Sequence, residues 1–222
     1  MFIGHFGLAM AAKSVAPRPS LGTLVLAAQL VDGIWPIFVL LRWETVAIQP
    51  GITAVTPLDF TSYPYTHSLV AGFVWAAVLS GTYYALRSDR VGALWLAALV
   101  VSHWLLDLVA HRPDLPLWPG GPRVGLGLWY SLPATLAVEF ALFAGGAWIY
   151  ASVTRARDRL GSALFWAFVI VLGAIYLASV FGPPPPSVGV LATSGLLGWL
   201  FVAWGYWIDR HRVAVQVGPA PA

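Results

Sequence analysis

Three ionisable residues of this chain follow one another at intervals of four: His103, Asp107 and His111. Four residues advance a helix by about 400°, so on a helix these side chains form one narrow stripe. An imidazole nitrogen and a carboxylate oxygen on neighbouring turns can reach a common point, and zinc accepts both as ligands. The spacing therefore predicts a divalent metal site. The alternative is an internal His–Asp hydrogen bond that only stabilises the packing of helices.

Asp32 is a second candidate ligand, in the segment LVDGIWP. Gly33 and Pro36 weaken a helix there, and Pro36 leaves a backbone carbonyl without its usual donor. A locally opened helix around a carboxylate is a recurrent site geometry in membrane proteins. The alternative is a kinked helix whose carboxyl group is kept neutral by desolvation.

Two more ionisable residues are candidates at the same depth of the chain's apolar segments. His67 stands between Thr66 and Ser68, which can cap a helix and hydrogen-bond the ring. The alternative is an interfacial histidine without a function. Glu139 lies one or two turns into a later apolar segment. The alternative to a site role for Glu139 is that its carboxylate only extends to the outer surface.

The composition excludes several classes of protein. Of the 222 residues, 59% are hydrophobic and 9% are charged, whereas a soluble domain carries roughly a quarter charged residues. This composition excludes a soluble globular protein. The absence of cysteine excludes disulfides, thiolate nucleophiles, iron–sulfur clusters and cysteine-ligated zinc. Any metal must therefore bind to histidines and carboxylates. The net charge of +3 comes from 12 basic and 9 acidic residues, too few for a nucleic-acid groove.

The elements that must position these residues are membrane-spanning helices, each of which needs about 20 apolar residues. Six stretches qualify: residues 21–42, 67–86, 92–111, 133–152, 161–181 and 188–208. Residues 1–13 are apolar but too short to span, and they lack the features of a signal peptide. We predict an all-α, integral-membrane helical bundle with six transmembrane helices and a short, half-inserted N-terminal helix. It forms a single domain over 1–222, with a site-bearing part at 1–140 and scaffold helices and a tail at 141–222.

The basic residues predict the orientation, because Lys and Arg accumulate in cytoplasmic loops. With both ends inside, nine of them are cytoplasmic: Lys13, Arg18, Arg87, Arg90, Arg155, Arg157, Arg159, Arg210 and Arg212. Only Arg42, Arg112 and Arg123 are then outside. This topology places the candidate ligands in the outer half of the membrane. Arg112 and Arg123 lie beside them and could hold a substrate phosphate.

The candidate residues lie in segments that resemble a family of bacterial membrane-bound metal-dependent hydrolases of the inner membrane. The segments are GHFGLAMAAK at the N-terminus, the aspartate of LVDGIWP, THSL, and SHWLLDLVAHRPDLPLWP. Gly4-His5, Thr66-His67-Ser68 and Ser102-His103 with Asp107 match the family's motifs. Tyr63-Pro64-Tyr65 replaces a His-Arg pair, and Asp32 lacks the paired aspartate. The resemblance covers residues 1–140 and implies an inner-membrane location.

The order of these residues is also similar to the ligand order of zinc-dependent phospholipases C, helical enzymes that cleave phosphodiesters with a small metal cluster. This similarity alone implies that His5 belongs to the site. It gives Glu139 a counterpart in a late glutamate ligand, whereas Thr135 occupies the position of a ligand histidine.

Our first hypothesis is an integral-membrane hydrolase that uses a divalent metal, zinc by ligand type, and acts on a lipid-like phosphoester or another ester. Asp107 and Glu139 are its candidate catalytic residues. The candidate metal ligands are His5, Asp32, His67, His103, Asp107 and His111. The expected partners are membrane lipid and an amphipathic substrate, not nucleic acid. The sequence predicts no particular oligomeric state.

Two other hypotheses stay open. A proton- or metal-coupled transporter would use the same carboxylates and imidazoles, but its path should place polar residues in both halves of the membrane, and the inner half is nearly bare. A non-catalytic scaffold would need no cluster of acids and histidines at one depth.

Overall fold

The computed structural model describes residues 1–215, and over this range the chain is mostly helical. Residues 216–222 of the predicted scaffold part lie outside the described residues. The α-helices are α1 (Ile3–Ala11), α2 (Leu21–Leu40), α3 (Pro64–His67), α4 (Leu69–Arg87), α5 (Arg90–Ala110), α6 (Leu132–Val153), α7 (Arg159–Phe181), α8 (Val188–Gly195) and α9 (Gly198–Arg210).

Within the described residues, six helical segments are long and apolar enough to cross a membrane, which confirms the predicted number and order. They are α2, α4, α5, α6, α7 and the continuous stretch Val188–Arg210 formed by α8 and α9. Their mean hydropathy ranges from 1.5 to 2.4. The predicted short N-terminal helix is α1, which covers nine residues. A turn separates α8 from α9, where a single helix over 188–208 was predicted.

Side-chain caps explain where most of the long helices begin. A serine or aspartate precedes each one and accepts a hydrogen bond from the backbone N–H three residues later, which satisfies one of the free donors of the first turn. The capping residues are Ser20, Ser68, Asp89, Ser131, Asp158 and Ser187. The cap at Ser68 explains why α4 begins at Leu69 and not at residue 67 as predicted.

Helix α1 lies in the interior of the bundle. It packs most extensively against α6 and also contacts α2 and α5. Ile3, Phe6 and Met10 of α1 are almost completely buried in the main hydrophobic core. Helix α4 and the stretch Val188–Arg210 lie at the periphery, since only 11% of the most apolar window of each is buried. The centre of the bundle is therefore formed by α1, α2, α5 and α6.

Short antiparallel strand pairs join the ends of the helices, and the sequence did not predict them. The strands are β1 (Thr45–Ile48), β2 (Leu58–Ser62), β3 (Leu115–Pro116), β4 (Arg123–Val124), β5 (Thr154–Ala156) and β6 (Arg212–Ala214). β1 pairs with β2 and β3 with β4 at one end of the bundle, and β5 pairs with β6 at the other. The first two pairs belong to the loops that cover the candidate site.

Candidate metal centre

Five of the six predicted ligands converge at the centre of the bundle. In the part of the chain that the structure describes, two groups of three residues offer ligand atoms that all lie within 4.8 Å of one another. The first group is His5, His103 and Asp107, and the second is Asp32, His67 and His103. His103 is common to both groups. Helices α1, α2, α3 and α5 supply these residues, so the site depends on the packing of four separate helices.

The Asp107 carboxylate lies between the two groups. Its Oδ1 is 3.2 Å from His5 Nε2, and its Oδ2 is 3.2 Å from His103 Nε2 and 3.9 Å from His67 Nε2. On the other side, Asp32 Oδ1 is 3.2 Å from His67 Nε2 and 3.6 Å from His103 Nε2. One carboxylate thus faces both groups.

The two central histidines are held by their other ring nitrogen. His103 Nδ1 lies 2.7 Å from the carbonyl oxygen of Ala28, which can only accept a hydrogen bond, so Nδ1 carries the proton. His67 Nδ1 lies 2.7 Å from Thr66 Oγ1, and that hydroxyl donates to Glu44 Oε2 at 2.6 Å. Such anchoring of the remote nitrogen is typical of metal-ligating histidines. In the neutral rings, both Nε2 atoms present lone pairs to the centre.

The separations fit a metal ion. Ligands about 2.0–2.1 Å from a tetrahedral zinc lie about 3.3 Å from one another, and the separations in the second group are 3.2 and 3.6 Å. Within residues 1–215, His103 Nε2 is buried and has no hydrogen-bond partner. A lone pair that faces two carboxylates needs a cation, either a ring proton or a metal ion. The donor set of imidazoles and carboxylates is one that zinc accepts.

His111, the sixth predicted ligand, lies at the edge of the site. Helix α5 ends at Ala110 and the backbone of His111 is extended, so His111 departs from the stripe of His103 and Asp107. Its Nδ1 is 2.9 Å from Asp114 Oδ1, and its Nε2 is 4.0 Å from Asp107 Oδ2. Burial lowers the pKa of His111 and favours the neutral ring. His111 belongs to neither group of three.

Glu139, predicted as catalytic, contacts the beginning of α1. Its Oε1 accepts a hydrogen bond from Phe2 N at 2.8 Å, and its Oε2 accepts one from Gly4 N at 2.7 Å. Glu139 belongs to neither group of possible ligands. The amino group of Met1 lies beside it and contacts Asp107 Oδ1, a contact that the sequence did not predict.

The two arginines predicted to hold a phosphate lie in the loops above the site. Arg112 contacts Asp59 and donates from Nε to Asp114 Oδ2 at 2.9 Å. Arg123 is exposed and donates to the carbonyl oxygen of Thr61 at 2.8 Å. Arg112 therefore already has two carboxylate partners, whereas the guanidinium of Arg123 faces solvent.

Sequence reasoning missed three buried residues that support the histidines: Glu44, Tyr63 and Asp114. Glu44 also accepts hydrogen bonds from the backbone of Tyr65 and Thr66. Tyr63 donates a hydrogen bond to Asp114 Oδ1 at 3.1 Å. The pKa of the Tyr63 phenol is raised, mainly because the group is buried and also because the charged Asp114 is near. Of these three residues, only Asp114 could have been found from the sequence, because it lies three residues after the candidate ligand His111.

An aromatic cover closes the site on the side of the loops. It consists of Phe60, Tyr63, His111 and Trp129, whose rings follow one another with centroids 4.1–5.1 Å apart. Tyr63 and His111 are at most 3% exposed. Below this cover, the side chain of Asp32 is 37% exposed, whereas those of His5, His67, His103 and Asp107 are at most 5% exposed. Asp32 is thus the accessible member of the centre.

Comparisons with known proteins add no family assignment. No family model matches the chain, and no curated protein or solved structure matches it.

Proposed function

We propose that this protein is an integral-membrane, metal-dependent hydrolase that acts on a lipid-like phosphoester or another ester. The observation that carries the proposal is the pair of ligand groups that share His103. The remote nitrogens of His67 and His103 are anchored, and their Nε2 atoms point at carboxylates. A hydrogen-bonded pair that only stabilises helix packing needs neither a second group nor such anchoring.

The membrane location rests on the six apolar helices and on what their surfaces expose. Trp148, Ile170 and Leu94 on three of these helices are about 70% exposed. Large apolar side chains at this exposure are expected where the solvent is lipid. The inner membrane of a bacterium and an outward-facing site follow from the resemblance of the ligand-bearing segments and from the distribution of arginines.

Each residue has a defined part in this proposal. His103 Nε2 has one free lone pair and can bind one ion, so His103 and Asp107 would hold a single divalent ion together with His5, Asp32 and His67. When bound, an ion such as zinc supplies Lewis acidity and makes water nucleophilic near neutral pH. Asp107, between the groups, fixes their separation. Arg123 is the loop arginine that is open to an anionic substrate.

A lipid-like substrate is favoured by the position of the opening. Val25, Ala28, Trp35 and Val39 lie on the same face of α2 as Asp32, and all four are buried. Because these neighbours are buried, the 37% exposure of the Asp32 side chain indicates an opening towards the interior of the bundle. Asp32 is 11 residues from the start of α2, about 16 Å along the axis. At that depth in a core of about 30 Å, such an opening would lie within the bilayer.

The test is hydrolysis by the purified protein in proteoliposomes, with a panel of phosphodiester and carboxylic ester lipids. We expect slow hydrolysis that chelation abolishes and zinc restores. His103→Ala should be inactive, whereas His211→Ala, which removes a histidine paired with Asp158 at the opposite end, should keep the activity. Metal-dependent ion uptake without hydrolysis of any ester would replace this proposal with the transporter.

A further inference from the structure

Helix α1 carries one predicted ligand, His5, but it is only nine residues long and does not span the bundle. A helix of this length is marginal by itself, so its position depends on tertiary contacts. Its N-cap residue, Phe2, provides no side-chain cap. The free N–H groups of Phe2 and Gly4 are satisfied by one side chain from another helix, the carboxylate of Glu139.

Both oxygens of Glu139 are engaged, one by each N–H group, at 2.8 and 2.7 Å. A buried carboxylate is costly unless it is hydrogen-bonded, and Glu139 is only 1% exposed. The positive end of the α1 dipole gives this carboxylate a favourable partner. The two hydrogen bonds therefore fix both the position and the rotation of the first turn of α1.

One turn after Gly4, at Gly7, the backbone of α1 is in contact with the backbone of α6. A Cβ atom at Gly146 would overlap the carbonyl oxygen of Gly7, and a Cβ at Gly7 would overlap that of Leu142. Close approach of this kind requires glycine on both helices. Helix α6 thus holds α1 at two points, by the Glu139 carboxylate at its start and by the glycine contact one turn later.

His5 lies between these two points. Its ring stacks on His103 with centroids 3.7 Å apart and an interplanar angle of 3°, and its Nε2 reaches Asp107 Oδ1 at 3.2 Å. A rotation of α1 by one residue, about 100°, would turn His5 away from the centre. Within the described chain, α6 supplies no atom to either ligand group, yet it determines where His5 lies.

We propose that Glu139 is a positioning residue, whose carboxylate docks α1 on α6 and so places His5 in the first ligand group. This inference rests on the proposed metal centre and replaces the catalytic role that the sequence suggested for Glu139. The carboxylate acts on His5 through backbone N–H groups, and it needs no contact with substrate.

The experiment compares Glu139→Ala, Glu139→Gln and His5→Ala in the full chain, purified in detergent. The first readout is zinc bound per chain, measured by mass spectrometry after equilibration with zinc alone. We expect Glu139→Ala to weaken zinc binding by the same factor as His5→Ala. The double variant Glu139→Ala/His5→Ala should bind no less zinc than either single variant, because both substitutions act on the same ligand, His5. Glu139→Gln keeps one acceptor oxygen and should give an intermediate affinity.

The second readout needs no metal. The chain has no cysteine, so Phe2→Cys is a unique label site, and residue 2 is partly buried. We expect a thiol reagent to label it at least tenfold faster in the Glu139→Ala background. Asp158→Ala is the matched control, because it removes a carboxylate that caps α7 and should change neither zinc content nor labelling.

The outcomes separate the two proposals. Unchanged labelling and zinc content in Glu139→Ala would overturn the positioning role, as would a Glu139→Gln variant that keeps both but loses hydrolysis, because that result indicates a catalytic group. Faster labelling in Glu139→Ala together with no zinc binding by the unmodified chain would support the docking of α1 and refute the proposed metal centre.

Discussion

At the scale of single residues, His103 is the candidate ligand that both groups of three share. Its Nε2 lies 3.2 Å from Asp107 and 3.6 Å from Asp32, one carboxylate from each side of the centre. We predict that His103→Ala loses all tightly bound zinc, whereas His5→Ala and His67→Ala each weaken zinc binding without abolishing it. Metal analysis by mass spectrometry measures this directly. His211→Ala should retain full zinc content, and stoichiometric zinc in His103→Ala would rule out this centre.

Thr66 is the residue whose role is easiest to isolate, because its hydroxyl joins Glu44 to His67. Thr66→Val keeps the size of the side chain but leaves His67 Nδ1 without its acceptor and Glu44 Oε2 without a donor. We predict about 10–100-fold weaker zinc binding, the loss expected when the support of a ligand is removed. Competition against a chelator of known affinity measures the change.

Two variants serve as controls for Thr66→Val. Thr66→Ser restores the hydroxyl and should bind zinc like the unmodified chain. Thr45→Val removes another threonine hydroxyl, which pairs with Thr61 on the exposed β1–β2 hairpin, and it should have no effect on zinc. Equal affinities for Thr66→Val and Thr45→Val would mean that the Glu44–Thr66 link does not orient His67.

At the scale of elements, neighbouring glycines of α6 provide a matched pair. A methyl group at Gly146 would overlap α1, whereas one at Gly145 meets no atom within 4 Å. We predict that Gly146→Ala lowers the free energy of unfolding by about 1–3 kcal/mol, as overpacking does. Gly145→Ala should be neutral or raise it by up to about 1 kcal/mol, because alanine favours a helix. Thermal unfolding in detergent measures both, and equal stabilities would contradict the contact between α1 and α6.

The helices could be predicted because their signals are local. Apolar length identifies each long helix, and a serine or aspartate marks where it begins. The stripe of His103 and Asp107 was predictable for the same reason, since both lie within one regular helix. His111 departs from it because α5 ends one residue earlier, and a deviation of one residue at a helix end lies within the uncertainty of sequence-based boundaries.

The supporting contacts could not be predicted, because they join residues far apart in the chain. Glu44 reaches Thr66 across 22 positions, and Glu139 reaches Gly4 across 135. The short strands also depend on other segments, since two to five residues form a strand only when a partner segment lies alongside, and the partner of β5 is the distant strand β6. The clustering of candidate ligands was therefore predictable, but the hydrogen-bond partners of the histidines and the contacts of Glu139 required the fold.

At the scale of the whole molecule, the orientation in the membrane is the remaining prediction, and the exposed arginines argue for it. Arg18, Arg87, Arg90, Arg155, Arg157, Arg159 and Arg210 are exposed in the described chain. All of them flank helix ends at the side away from the aromatic cover. On the covered side Arg112 is neutralised by Asp59 and Asp114. The excess of free positive charge lies on one side, which favours that side as cytoplasmic.

Cysteine labelling in intact cells tests this orientation, since the chain has no cysteine of its own. The exposed residues Gln49, on the covered side, and Ser14, on the arginine side, are suitable label positions. We predict that an impermeant thiol reagent labels Gln49→Cys in intact cells, and that it labels Ser14→Cys only after the membrane is opened. Labelling of both after lysis shows that each cysteine is reactive. If Ser14→Cys alone were labelled in intact cells, the centre would face the cytoplasm, and its substrate would have to come from the inner leaflet.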